Sequence, residues 1–97
     1  MNNKSWFVYI LRCKDGAFYT GITNNVKARL TKHNSGKGAR YTRTRCPVRL
    51  VYQVRCPNQG RAMEREKEIK RLHRPKKAVL VRQYRAKTKI KRAKTKQ

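Results

Sequence analysis

Acidic residues are the scarcest feature of this sequence. Four Asp and Glu stand against 28 Lys and Arg in 97 residues, a formal net charge of +24. A compact domain carrying that charge repels itself, so a polyanion is its natural partner. Nucleic acid comes first, because phosphate contacts release condensed counterions; an anionic membrane surface comes second. Long hydrophobic runs are also missing. No segment approaches the roughly 20 apolar residues that span a bilayer, and Met1 to Lys4 lead into an alternating segment without the apolar stretch of a signal peptide. Cytoplasmic residence, with nucleoid association inside it, is the expectation. Cysteine is sparse: Cys13, Cys46 and Cys56 are odd in number and show no CxxC spacing. That argues against a disulfide framework or a zinc site. His33 and His73 have no metal-ligand partners at short spacing. With a hydrophobic fraction of 37%, the chain has room for one domain with a small core.

What is present reads as alternating strands and helices. Trp6 to Leu11 is apolar on both alternating sets, the pattern of a strand buried on both faces. Lys14, Asp15 and Gly16 signal a turn, and residues 17–23 return as the second arm of a hairpin. Asn24 and Asn25 suit a helix N-cap, and the helix spans Val26 to about Asn34. Gly36 and Gly38 follow it, available for a left-handed C-cap. A basic loop covers 39–47, a third strand 48–55, a turn 57–60, and a second helix 61 to about 73. Pro75 suits the first turn of a third helix over roughly 75–84. The last 13 residues, 85–97, hold seven Lys or Arg and no acid; they read as a basic tail, disordered when free. The body, 1–84, keeps 21 basic residues and is basic in its own right. The order ββαβαα predicts an α+β domain: a small three-stranded antiparallel sheet flanked by helices.

Polar residues on faces that should be apolar carry the functional signal. At 100° per residue, Arg29 and His33 fall in the same arc of the first helix as Val26 and Leu30. Either both point toward the sheet, or Arg29 snorkels to water and His33 sits at the boundary. In the second helix Ala62, Glu66, Ile69 and His73 share one face, so Glu66 stands among core-facing positions. Its carboxylate either pairs with Lys70 or Arg65, or holds a divalent cation. If the hairpin loop is the three residues 14–16, Tyr9 lies opposite Gly21 and Leu11 opposite Tyr19, all on one face; a two-residue turn would put the two tyrosines on opposite faces. Gly21 leaves space beside Tyr9. Two tyrosines, an arginine, a histidine and a single carboxylate near one sheet face suit metal-assisted phosphodiester hydrolysis. Glu66 would hold the ion and Arg29 would neutralise the scissile phosphate. A tyrosine hydroxyl, its pKa lowered by surrounding cations, would help deprotonate water, and His33 would orient or relay that proton.

These residues match a family. Phe7-Val8-Tyr9 stands where the GIY-YIG nuclease superfamily has its first motif, and Tyr19-Thr20-Gly21 where it has its second. The helix from Asn24 to His33 resembles the one that follows in the family, with Arg29 and His33 at the expected interval. Glu66-Lys67-Glu68-Ile69-Lys70 resembles the later segment that carries the metal-binding Glu. The resemblance runs over about 6–72 and is nearest to short stand-alone bacterial members. It implies divalent-metal-dependent DNA cleavage, with Tyr9, Tyr19, Arg29, His33 and Glu66 as the site, Gly21 as a structural motif residue, and one Mg²⁺ (or Mn²⁺) as the ion. Phe7, Val8 and Thr20 depart from the motif letters. The downstream Asn of many larger members has no counterpart here, nor does their separate DNA-targeting domain.

Lys37, Arg40, Tyr41, Arg43 and Arg45 are basic residues around an aromatic, in a segment whose glycines let backbone approach phosphate closely. They are the expected substrate contacts. Two other functions stay open: a nucleic-acid-binding protein that keeps the fold without activity, and a small RNA-associated basic protein of ribosomal type. A membrane-surface role finds no amphipathic helix with a clean aromatic face.

Overall fold

The computed structural model describes residues 5–95, with side chains described through residue 88. The reading of Met1 to Lys4 therefore lies outside the described residues, apart from the start of the sheet that follows them. The elements are β1 (Trp6–Arg12), β2 (Phe18–Thr23), α1 (Val26–Asn34), α2 (Arg40–Arg43), β3 (Arg49–Cys56), α3 (Gln59–Arg71) and α4 (Arg74–Thr95). The three strands form one antiparallel sheet in the order β2-β1-β3. The α+β architecture is the one expected, with a single-turn helix, α2, added inside the segment read as a basic loop.

β1 is the central strand, and its unbroken apolar run has the consequence anticipated for it. Val8 and Ile10 are fully buried on one face, Tyr9 and Leu11 almost so on the other. The first face packs against Ala62 and Ile69 of α3 and Val81 of α4. The second holds a smaller cluster with Cys13, Val48, Tyr19 and Leu30. Burying each large aliphatic side chain contributes about 1.5–3 kcal/mol, so these few contacts hold most of the fold. Trp6, half-buried, packs against the first cluster.

The hairpin closes as its turn residues require. Cys13 N donates to Ala17 O at 2.8 Å, and Gly16 takes φ 90°, where a side chain is strained. That fixes the register, with Tyr9 opposite Gly21 and Leu11 opposite Tyr19. α1 is capped by Asn25, whose Oδ1 accepts from Ala28 N at 3.0 Å. After its C-cap Ser35 the chain turns at Gly36, φ 81°, the left-handed position that glycine fills most cheaply. α3 is capped by Asn58, which accepts from Arg61 N at 2.9 Å, and so begins two residues earlier than the turn signal suggested.

Two expectations need correction. His73 was grouped with the inward face of the second helix, but α3 ends at Arg71 and His73 is exposed beyond it. The third helix, expected to stop near Tyr84, runs on to Thr95. The segment beyond Tyr84 contains no Gly or Pro and is rich in Ala, Lys and Arg, which are good helix formers. Residues 85–95 of the basic segment thus continue a helix that Val81 anchors to the core; 96–97 lie outside the described residues.

Candidate active site

The odd-numbered face of β1 carries the site. Tyr9 emerges at its centre, 2% exposed. Opposite it, Gly21 is held to glycine by contact: a Cβ there would lie 2.6 Å from the Tyr9 hydroxyl oxygen. α1 crosses the same face and contributes His33, fully buried. The two residues meet at the His33 Nε2 and the Tyr9 hydroxyl, 3.0 Å apart.

The rest of the network decides which atom donates. Thr42 Oγ1 donates to Ala39 O at 3.0 Å. Its proton spent, that oxygen accepts from His33 Nδ1 at 2.7 Å. A neutral imidazole protonated at Nδ1 presents a lone pair at Nε2, and the Tyr9 hydroxyl donates to it. Burial, with the charge of Arg29 adding to it, lowers His33 below the usual histidine value of 6.5, which keeps that lone pair available. Burial also pushes Tyr9 above the usual 10.0; Arg29 beside it opposes the rise, and Tyr19 and Glu66 add to it. The expectation of a tyrosine acidified by cations is therefore corrected for Tyr9. Desolvation of the phenolate outweighs the guanidinium, and Tyr9 is a phenol whose proton already points at a base.

Tyr19 completes the aromatic group. Its ring centroid lies 5.3 Å from that of His33 and 6.4 Å from that of Tyr9. Tyr41 of α2 stacks on Tyr19 at 6.0 Å, and the Arg45 guanidinium covers Tyr41 at 4.1 Å. Arg45 is further tied to Asp15 by a 3.1 Å ion pair and donates to Tyr41 O at 2.9 Å. It therefore braces the site and is the least free of the five residues read as substrate contacts. Lys37, Arg40, Arg43 and Tyr41 are exposed around it.

Arg29 lies half-buried on α1, on the face the helical arc gave it. Its Nε is buried and has no hydrogen-bond partner. Glu66 of α3 is 21% exposed, and its Oε2 pairs with Lys70 Nζ at 3.2 Å. Glu64 and Glu68 face solvent and pair with Arg61 and Arg65. No three His, Cys, Asp or Glu side chains come together to cage a metal among the described residues. Glu66 is the carboxylate whose charge bears on Tyr9.

Two participants escaped the sequence reading. Thr42 sits in a segment read as a basic loop, yet it is fully buried because α2 folds it under His33. Gly38 reads from the sequence as a helix C-cap or a phosphate approach; a Cβ there would fall on His33 Nδ1. Nothing local marks either one, since both answer to a residue on another element.

Comparison with known proteins identifies the family. The model of the GIY-YIG catalytic domain matches residues 5–78. The chain belongs to the GIY-YIG family. This GIY-YIG chain is 54% identical over 78 residues to the UPF0213 protein DP2720 of Desulfotalea psychrophila, covering 79% of this chain and 71% of that protein. It is 52% identical over 75 residues to the UPF0213 protein SH2523 of Staphylococcus haemolyticus, covering 77% and 92%. Two solution NMR structures share the fold. The UPF0213 protein BH0048 of Bacillus halodurans is 53% identical with a TM-score of 0.52, covering 79% of this chain and 82% of that one. The protein EF2693 of E. faecalis is 37% identical with a TM-score of 0.59, covering 88% and 91%. No helix among the described residues of this GIY-YIG protein is long and apolar enough to cross a membrane.

Proposed function

We propose that this chain is a divalent-metal-dependent endonuclease of the cytoplasm that hydrolyses DNA phosphodiester bonds, with Tyr9, Tyr19, Arg29, His33 and Glu66 as its working residues. The observation that carries the reading is Arg29. Its Nε is buried without a partner, while each of the four acidic side chains is paired with a different cation. A partly desolvated guanidinium with no carboxylate to meet it is a seat for an anion, and a phosphodiester matches its fork.

The donor set also fits one Mg²⁺ or Mn²⁺. Mg²⁺ keeps several waters and is commonly held by one or two carboxylates together with substrate phosphates, so the single carboxylate of Glu66 suffices where a caged ion would need more. Bound there, the ion supplies charge that polarises the phosphate and stabilises the leaving oxyanion.

The chain's own residues move the proton. Tyr9 gives its hydroxyl proton to His33 Nε2 and accepts one from the attacking water. His33 becomes imidazolium, its Nδ1 proton still held by Thr42. Arg29 offsets charge on the phosphate, and Tyr19 and Tyr41 wall the aromatic side of the site. Lys37, Arg40 and Arg43 meet flanking phosphates, which position the strand and carry no sequence information.

The test is cleavage of supercoiled plasmid and of short branched or flapped DNA at low salt, in Mg²⁺, Mn²⁺ or EDTA, with Glu66→Ala purified identically. Glu66 is half-buried and its partner Lys70 is exposed; an i,i+4 helix pair contributes only about 0.3–0.5 kcal/mol, so this variant is expected to fold. Metal-dependent nicking that disappears in Glu66→Ala supports the reading. One observation favours a second reading: Lys70 already satisfies the Glu66 carboxylate. On that reading the protein binds nucleic acid, DNA or RNA, without cutting it, and the two proteins bind alike and leave every substrate intact.

A further inference from the structure

Arg12 of β1 lies directly opposite Arg49 of β3 in the sheet register. Like charges facing each other across two strands destabilise the pairing. No acidic side chain relieves this one, because Asp15, Glu64, Glu66 and Glu68 are all engaged with other cations. A third guanidinium joins them: Arg12, Arg49 and Arg85 of α4 all line one cavity of about 180 Å³, whose wall also includes Leu50 and Val51 of β3 and Val81, Tyr84 and Thr88 of α4. The two sides of this cavity come from different elements, and Val81 fixes α4 to the core beneath it. By strand alternation Arg12 shares the face of Val8 and Ile10, opposite the face of Tyr9. The tyrosine site therefore has no use for these three charges.

We propose that Arg12, Arg49 and Arg85 form a second phosphate-binding site, which holds a backbone phosphate of the nucleic acid on the side of the sheet away from the tyrosines. The bound anion removes the repulsion that the fold imposes on the cross-strand pair. Arginine suits the task, since its planar fork can meet phosphate oxygens two at a time. The proposal rests on the reading that nucleic acid is the polymer this chain binds, and it does not require cleavage. It gives the domain two separate grips on a strand or duplex, so that the segment presented to Tyr9 is held from both sides of the sheet.

The experiment uses the full chain in EDTA, which keeps binding independent of cutting. Fluorescence anisotropy gives the affinity for a 30-base-pair duplex as a function of salt. Three proteins are compared: the native chain, Arg12→Gln/Arg85→Gln, and Lys67→Gln/Lys76→Gln, which loses equal charge from elsewhere on the surface. The arginine variant is expected to lose about tenfold in affinity at 0.1 M salt, and its log–log salt slope to shrink by about one. The lysine variant is expected to change less than threefold. Equal losses in the two variants would overturn the proposal, because they would reflect net charge alone. Thermal unfolding in inorganic phosphate, against chloride at matched ionic strength, separates a site from general screening. Native protein should gain a phosphate-specific rise in Tm that the arginine variant lacks, and in chloride that variant should melt no lower than the native chain. The same phosphate rise in both proteins would refute the site. A phosphate-specific rise without the difference in duplex binding would refute its assignment to nucleic acid. Loss of plasmid nicking in Glu66→Ala tests the cleavage reading separately.

Discussion

Tyr9 and His33 are 24 residues apart in the chain, yet the Tyr9 hydroxyl donates to His33 Nε2 across 3.0 Å in the interior. The direction of that bond follows from Thr42, which consumes the Nδ1 proton. A buried phenol aimed at a neutral imidazole is a path by which a proton can leave the reacting site.

Thr42→Val tests the origin of that path. It keeps the shape of the side chain and removes the acceptor for His33 Nδ1. A buried donor left unsatisfied costs about 1–3 kcal/mol, which urea denaturation reads as a lower midpoint at unchanged slope. Thr42→Ser should recover most of the stability, since it restores the oxygen. Cleavage should fall in the valine variant by more than DNA affinity does; equal losses would mean that Thr42 serves only packing.

Gly21→Ala probes the space beside Tyr9. The added methyl would stand 2.6 Å from the Tyr9 oxygen and 2.8 Å from Cζ, so the ring must move. Overpacking of this kind costs about 1–3 kcal/mol. Thermal melts should show the loss, and plasmid nicking should drop steeply while anisotropy shows near-native binding. Native-level nicking would show that the Tyr9 position is not critical.

The His33 environment makes stability depend on pH. Burial first, then Arg29, lowers its pKa in the folded protein below the usual 6.5. At pH values between those two pKa values the unfolded chain binds a proton that the folded chain does not, so folding stability is complete above about 6.5 and declines as pH falls through that window. Asp15, held below the usual carboxylate value of 3.8 by the Ala17 amide and by Arg45, titrates in a more acid range. Chemical denaturation from pH 7.5 down to 5 should show the decline, and His33→Gln should flatten it. A native profile already flat across that range would contradict the inferred environment.

Asn34 ties the end of α1 to the start of β3. Its Oδ1 accepts from Val48 N at 2.7 Å and its Nδ2 donates to Val48 O at 3.1 Å. Asn34→Ala strips both partners from a backbone unit whose side chain is 3% exposed, and a loss of about 1–3 kcal/mol is expected. Asn34→Asp can still accept but cannot donate, and should lie between the two. A change under about 0.5 kcal/mol in the alanine variant would mean that water replaces the side chain.

Much of the fold was legible along the chain because its signals are local. The apolar run 6–11, the turn at Lys14, Asp15 and Gly16, and the asparagine caps each depend on a few neighbouring residues. Period-two and period-3.6 patterns then set which side chains share a face. That is why Tyr9 could be placed beside Gly21, and why Arg29, His33 and Glu66 could be picked out as polar residues on inward faces. The end of α4 is less legible: the segment after Tyr84 is dense in charge, yet through Thr95 it holds no Gly or Pro to break a helix already anchored by Val81.

The sequence by itself determined the sheet, the order of its elements, the five polar residues gathered on the inward faces and the appetite for a polyanion. Tertiary structure decided who owns each proton and each charge. Thr42 and Gly38 matter only because α2 folds against His33, and Tyr9 stays a phenol because burial outweighs the arginine beside it. Arg12 and Arg49 confront each other only once β1 and β3 pair. Periodicity reports the direction of a side chain relative to its own backbone; pKa, tautomer and repulsion depend on desolvation and on partners that arrive from distant parts of the chain.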